Sequence, residues 1–222
     1  MPAPPLRHAR GLRRLARLVV ERALPHAVLI GRGAPDRRRV ALTFDDGPGA
    51  MTEAYLDALE AAGARATFFV VGETCAQHRS ALRAIVARGH EVAGHGYTHR
   101  PFPSLPAAEL RDELERTSGL LPPARYRALV RPPGGRVSPG SVARCARAGY
   151  TTVLWSVDSD DCRSDSPAQL IANLAPGRLS PGDIILLHEG QPWTLEALPP
   201  VLHALREAGY QMVTVSELVS RR

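Results

Sequence analysis

The sequence predicts an α/β fold in which parallel strands are joined by helical crossovers. Three observations lead there. From Arg38 onward, short runs rich in apolar and β-branched residues alternate with segments of helical spacing. Gly63, Gly89, Gly149 and Gly209 each close a helix-like segment shortly before the next strand-like run. Side chains able to do chemistry gather just after the strand-like runs, and in parallel α/β folds the carboxyl ends of the strands share one face. Strict alternation fits either an open sheet or a barrel. Seven strand-like runs within about 175 residues favour barrel-like closure.

The strand-like runs are 39–44 (RVALTF), 66–71 (ATFFVV), 90–94 (HEVAG), 127–131 (RALVR), 151–157 (TTVLWSV), 183–187 (DIILL) and 211–215 (QMVTV). Each is short, apolar or β-branched, and bounded by turn residues. Helices are expected near 51–62, 76–88, 106–119, 139–148, 167–174 and 195–208. Ser166 before Pro167 is a cap followed by a first-turn proline. The longest loop, 95–106, is rich in Gly, His and Pro, and long loops in compact domains are often functional.

A chain of 222 residues with 44% hydrophobic and 23% charged content has the make-up of an ordinary globular domain. Its apolar runs are too short to span a bilayer. All 28 basic residues are arginine, and ten of them fall in residues 1–39 against two acids. Residues 1–37 therefore read as a basic N-terminal segment and 38–222 as the catalytic domain. In the segment, Leu12, Leu15, Leu18 and Val19 have helical spacing. A helix packed on the domain is expected, with a weak contact to an anionic membrane surface as the alternative. The remaining body is nearly neutral and carries no nucleic-acid footprint. Arginines and Glu21 interrupt any leader-like apolar stretch, and Cys75, Cys145 and Cys162 are few and odd in number. These features point to free thiols and a cytoplasmic location.

Asp45, Asp46, Gly47 and Pro48 alone would read as a turn. A turn does not explain the reactive groups stationed after the other strands: His95 and His99, Arg131, Asp158, and His188 with Glu189. Two histidines four apart plus one carboxylate make a donor set for a divalent ion with positions left open. Adjacent strand residues diverge, so one acid of the pair can join that set while its neighbour serves as general base. Arg131 would hold the base ionised. His188 would protonate a leaving amine, with Asp158 raising its pKa.

TFDDG (43–47), HGYTH (95–99), RPPGG (131–135), WSVDSDD (155–161) and LLH (186–188) resemble the five ordered motifs of the polysaccharide deacetylases, the family-four carbohydrate esterases. The resemblance covers about residues 40–216. It implies a deformed (β/α) barrel with fewer than eight strands and a divalent metal, most simply Zn2+ with Co2+ or Ni2+ as alternatives. It also implies removal of acetyl from N-acetylated sugars. Asp45 is similar to the family's base, Asp46, His95 and His99 to its metal triad, and Arg131 to the residue orienting the base. His188 is similar to the acid and Asp158 to its tuning residue. Leu186 resembles the lining of the acetyl-methyl pocket, and the Gly134 N–H stands where the oxyanion is supported. Trp155, Tyr97 and Trp193 are the rings left to contact substrate. Gly96 stands where Ser or Thr is usual, Gly134 replaces an aromatic residue, and Cys162 replaces a Trp. With less ring surface, a short oligosaccharide or glycoconjugate is the expected substrate. A sugar O-acetate, a non-sugar amide or a cyclic imide is the alternative.

Overall fold

A computed structural model describes residues 25–35, 37–123 and 128–220. Nine strands among them form one sheet: β1 (Leu29–Ile30), β2 (Arg39–Asp45), β3 (Ala66–Val70), β4 (Glu91–Gly94), β5 (Ala128–Val130), β6 (Tyr150–Val153), β7 (Val157–Asp158), β8 (Ile184–His188) and β9 (Gln211–Val213). Their order is β1-β6-β5-β4-β3-β2-β8-β7, with β9 beside the start of β2, and the pairings are parallel. β6 and β7 lie toward opposite ends of this order yet are three residues apart in the chain. Residues 150–158 thus reach from one side of the sheet to the other, and the sheet must curl into an incomplete barrel. The Leu154 carbonyl accepts from Arg131 Nη2 at 3.3 Å, and Ser156 N donates to the Ile184 carbonyl at 2.9 Å.

The predicted strand at 151–157 is therefore two short strands separated by this bend. Leu29–Ile30, which pairs with Thr152 and Val153, lies within the stretch assigned to the basic head. Two residues are too few to show strand periodicity. The helix expected in that head, with Leu12 to Val19, lies outside the described residues, as does the membrane contact weighed as its alternative.

Alternation along the strands separates two cores. Val40, Leu42 and Phe44 of β2 face outward, against Tyr55, Leu56 and Leu59 of α1 (Thr52–Ala61). They also meet Leu198, Val201 and Leu202 of α7 (Pro192–Glu207). Phe44 stacks on Phe68 at 5.1 Å and meets the Tyr55 ring edge-on at 5.4 Å. Each such fully buried side chain contributes roughly 1.5–3 kcal/mol by leaving water. The inner core holds Ala41, Phe69, Ala93, Leu129, Val153 and Ile184, and α8 (Val215–Val219) closes it with Val215 and Leu218. The remaining helices are α2 (Gly72–Gln77), α3 (Arg79–Ala87), α4 (Ala107–Ser118), α5 (Pro139–Arg147) and α6 (Pro167–Asn173). Ser166 caps α6 by accepting from Gln169 N, as its sequence signature predicts. No helix among the described residues is long and apolar enough to cross a membrane.

Candidate active site

The inward row of β2 runs Ala41, Thr43, Asp45, and that of β8 runs Ile184, Leu186, His188. The strands pair in register, Thr43 with Leu186 and Asp45 with His188. Two titratable groups thus sit side by side at the carboxyl end of the barrel. Asp45 is 3% exposed. Arg131, wholly buried, donates through Nη1 to Asp45 Oδ1 at 2.7 Å and to Thr43 Oγ1 at 2.8 Å. Its guanidinium lies over the Phe69 ring at 4.0 Å. A buried pair of this kind holds because each charge has its partner; removing one would strand the other.

Asp46 leaves the inward row of the strand. Its φ of 74° takes it out of the strand's alternation, and the two carboxylates meet at His95 Nε2, which lies 3.7 Å from Asp45 Oδ2. Asp46 Oδ1 lies 3.0 Å from His99 Nε2 and 3.4 Å from His95 Nε2. One ligand atom from each of Asp46, His95 and His99 lies within 4.8 Å of the others. His95 is buried, and its Nδ1 is 2.8 Å from the Arg131 carbonyl. A carbonyl can only accept, so Nδ1 donates to it, and Nε2 is the nitrogen turned toward Asp46 and free to bind an ion. Burial opposes ionisation of Asp46, but hydrogen bonds and charge from His95 and His99 hold its carboxyl far below the ordinary range. Two imidazoles and one carboxylate, one tautomer already fixed, fit a divalent metal ion with positions left for water and substrate.

Glu113 of α4, which the sequence reading did not single out, anchors the histidine loop. Its carboxylate accepts from the backbone N–H of Tyr97 at 2.6 Å and of Thr98 at 2.9 Å, and from the Thr98 hydroxyl. That grip spans the residues between the two histidines and holds His99 at a φ of 58°. It also accounts for Gly96, whose φ is +81° and where a Cβ would come within 3.3 Å of both Glu113 Oε2 and the Phe102 ring. Glu113 lies 14 residues beyond the motif, on a helix, and no local pattern marks it. Glu189 is likewise buried behind the aspartate turn, accepting from Gly49 N at 3.1 Å and from Thr52 Oγ1.

His188 corrects the reading of the acidic run. Its Nδ1 is 2.7 Å from Oδ1 of Asp161, not of Asp158, and its backbone N–H donates to Asp161 Oδ2 at 2.7 Å. Asp158 instead accepts from Asp160 N at 3.0 Å and from Arg163 Nη2 at 2.8 Å. The reason is backbone shape. Asp160 has a φ of 66°, so the chain reverses after β7 and brings the third acid, rather than the first, beneath the imidazole. Burial alone would depress the His188 pKa, but the hydrogen bond and charge of Asp161 more than offset it, and the net shift is upward.

The residues expected to line the substrate separate. Leu186 is buried two positions before His188 on the same strand face. Gly134 is exposed with a φ of +60°. The Trp155 ring lies where a Cβ on Gly135 would come within 2.3 Å. Trp193 donates its indole N–H to the Asp161 carbonyl at 2.8 Å. Tyr97 is committed elsewhere: the Arg116 guanidinium covers its ring at 3.6 Å, and the ring packs on Gly72. One face of its ring is thus taken by Arg116.

The polysaccharide deacetylase profile matches residues 32–153. The chain belongs to the polysaccharide deacetylase family. It is 33% identical over 186 residues to a peptidoglycan-N-acetylglucosamine deacetylase of Bacillus cereus, covering 81% of this chain and 87% of the relative. It is 34% identical over 199 residues to a chitooligosaccharide deacetylase of Bradyrhizobium, covering 82% of this chain and 90% of the relative. The fold superposes with a TM-score of 0.81 on a peptidoglycan N-acetylglucosamine deacetylase solved with a naphthyl-substituted N-hydroxybenzamide. That pair shares 28% identity over 87% of this chain and 93% of the other. Family and donor set together make this deacetylase a metal-dependent hydrolase. The relatives also overturn the cytoplasmic location. Enzymes named for peptidoglycan act on the wall, outside the cytoplasmic membrane. Free thiols, two of them buried, carry no weight against that.

Proposed function

We propose that this deacetylase removes the acetyl group from N-acetylated amino sugars of a glycan. The observation that carries this reading is the register of β2 and β8, which puts Asp45 and His188 side by side next to the Asp46–His95–His99 donor set. Zn2+ suits two imidazoles and a carboxylate, with Co2+ or Ni2+ as substitutes. When bound there, such an ion polarises the acetyl carbonyl and makes water a better nucleophile at neutral pH.

The side chains do the rest. Asp45, held by Arg131, takes a proton from the attacking water as its oxygen bonds to the acetyl carbon. The Gly134 N–H donates to the developing oxyanion in this reading, and one such donor is typically worth roughly 3–4 kcal/mol of barrier. As the C–N bond breaks, His188 gives its proton to the departing amine. Leu186 forms an apolar floor below His188 for the acetyl methyl.

Gly134 and Cys162 leave two places on the rim without a ring, while Trp155 packs on Gly135 and Trp193 on the Asp161 turn. A short oligosaccharide or glycoconjugate is therefore the proposed substrate. Acetate release is the test, using protein stripped of metal and reconstituted with Zn2+. N-acetylglucosamine oligomers should turn over only after reconstitution, and di- to tetrasaccharides better than polymer. Equal turnover of simple aryl acetates or imides, with none of the sugars, would overturn the reading.

A further inference from the structure

Beside the acid lies a second donor set. Asp161, Cys162 and His188 each offer a ligand atom, and these atoms lie within 4.8 Å of one another. The Asp161 side chain is fully buried and already bonded to His188, whereas Cys162 is exposed on the turn. A tetrahedral ion bound at about 2.3 Å from sulfur and about 2.0–2.2 Å from nitrogen and oxygen needs its donors roughly 3.3–3.8 Å apart. Rotation of an exposed cysteine side chain supplies the remaining ångström. Three aspartates (158, 160 and 161) share this turn, and the nearby cation, Arg163, is tied to Asp158 and Asp160. Thiolate and imidazole together select soft or borderline cations over magnesium and calcium.

We propose that Cys162, Asp161 and His188 form a second, inhibitory site for a thiophilic divalent cation such as Zn2+ or Cd2+. On binding, the Cys162 S–H bond breaks, its proton goes to solvent, and a sulfur–metal bond forms with no change of oxidation state. One imidazole nitrogen of His188 likewise releases its proton to solvent and gives the freed lone pair to the ion, in place of its hydrogen bond. His188 can then no longer carry a proton to a leaving amine. The inhibition rests on the role proposed for His188; the binding does not.

The two sites are separable because the Asp46–His95–His99 set holds no sulfur, and Cys75 and Cys145 are 1% and 0% exposed. Cd2+ titrated into the metal-free full chain should give a thiolate-to-cadmium charge-transfer band in the ultraviolet that saturates at one thiolate per chain. The band should persist in His99→Ala and vanish in Cys162→Ser. In the Zn2+-loaded enzyme, excess Zn2+ should suppress acetate release, and Cys162→Ser should need at least about tenfold more for the same suppression. Without added cation, Cys162→Ser should turn over like the parent. No band in the parent, a band that survives Cys162→Ser, or equal inhibition of both proteins would each overturn the proposal. The absorbance reads binding even if no sugar is turned over, so failure here is distinct from failure of the functional reading.

Discussion

The chain at the ends of β2 and β7 carries closely spaced aspartates in both places, yet each puts a different member to use. After β2, the first acid continues the inward row of the strand and the second departs from it at a φ of 74°. Both reach the site, on separate tasks. After β7, the first acid is spent on Arg163, the second turns the chain at a φ of 66°, and only the third lies under His188. A left-handed aspartate is a donor in one turn and a pivot in the other. Order along the chain therefore says little about which acid is functional; the position of the left-handed residue decides.

The largest effect should come from the β2 turn. Asp45→Asn removes the proposed base while sparing the donor set, so kcat should fall roughly 10²–10⁴-fold with metal content unchanged by elemental analysis. Undiminished turnover would take Asp45 out of that role. In the β7 turn, Asp161→Asn should cost about 10²-fold and move the alkaline limb of the kcat profile to lower pH. The direction comes from the upward shift that Asp161 gives His188. His188 donates only while protonated, and without the carboxylate's charge that form is lost at a lower pH. An unmoved limb would separate Asp161 from the acid. Glu113→Gln should weaken metal binding by roughly tenfold, measured by competition with a chelating dye, with kcat at saturating metal nearly intact. The smallest effect should be Asp158→Asn. Its partner is an exposed arginine, so activity should stay within about twofold and stability within about 0.5 kcal/mol by denaturant titration. A loss matching that of Asp161→Asn would erase the contrast between the two turns.

What the sequence made legible were features with a period. The inward positions 41, 43 and 45 and their partners 184, 186 and 188 follow from two-residue alternation, and parallel strands put their ends on one face. The donor set Asp46, His95 and His99 was readable because the residues are chemically distinctive and each follows a strand. Glu113 was not, and Glu189 stood out only as an acid after its strand, because a carboxylate that accepts backbone N–H groups leaves no trace of that role in local sequence. Asp161 was misread as Asp158 because the reversal at Asp160 is a backbone dihedral on a residue that does not demand it. Tyr97 looked like a free ring because Arg116, which covers it, sits on a helix 19 residues away.

Arg131 serves two masters at once: its guanidinium grips Asp45, while its main-chain oxygen fixes the proton on His95. The first contact can be erased by a single codon change; the second cannot, since every amino acid brings the same carbonyl. Drift at this position can disarm proton removal yet leave the imidazole pointing as before. A descendant that lost its chemistry by this route would still be able to hold an ion.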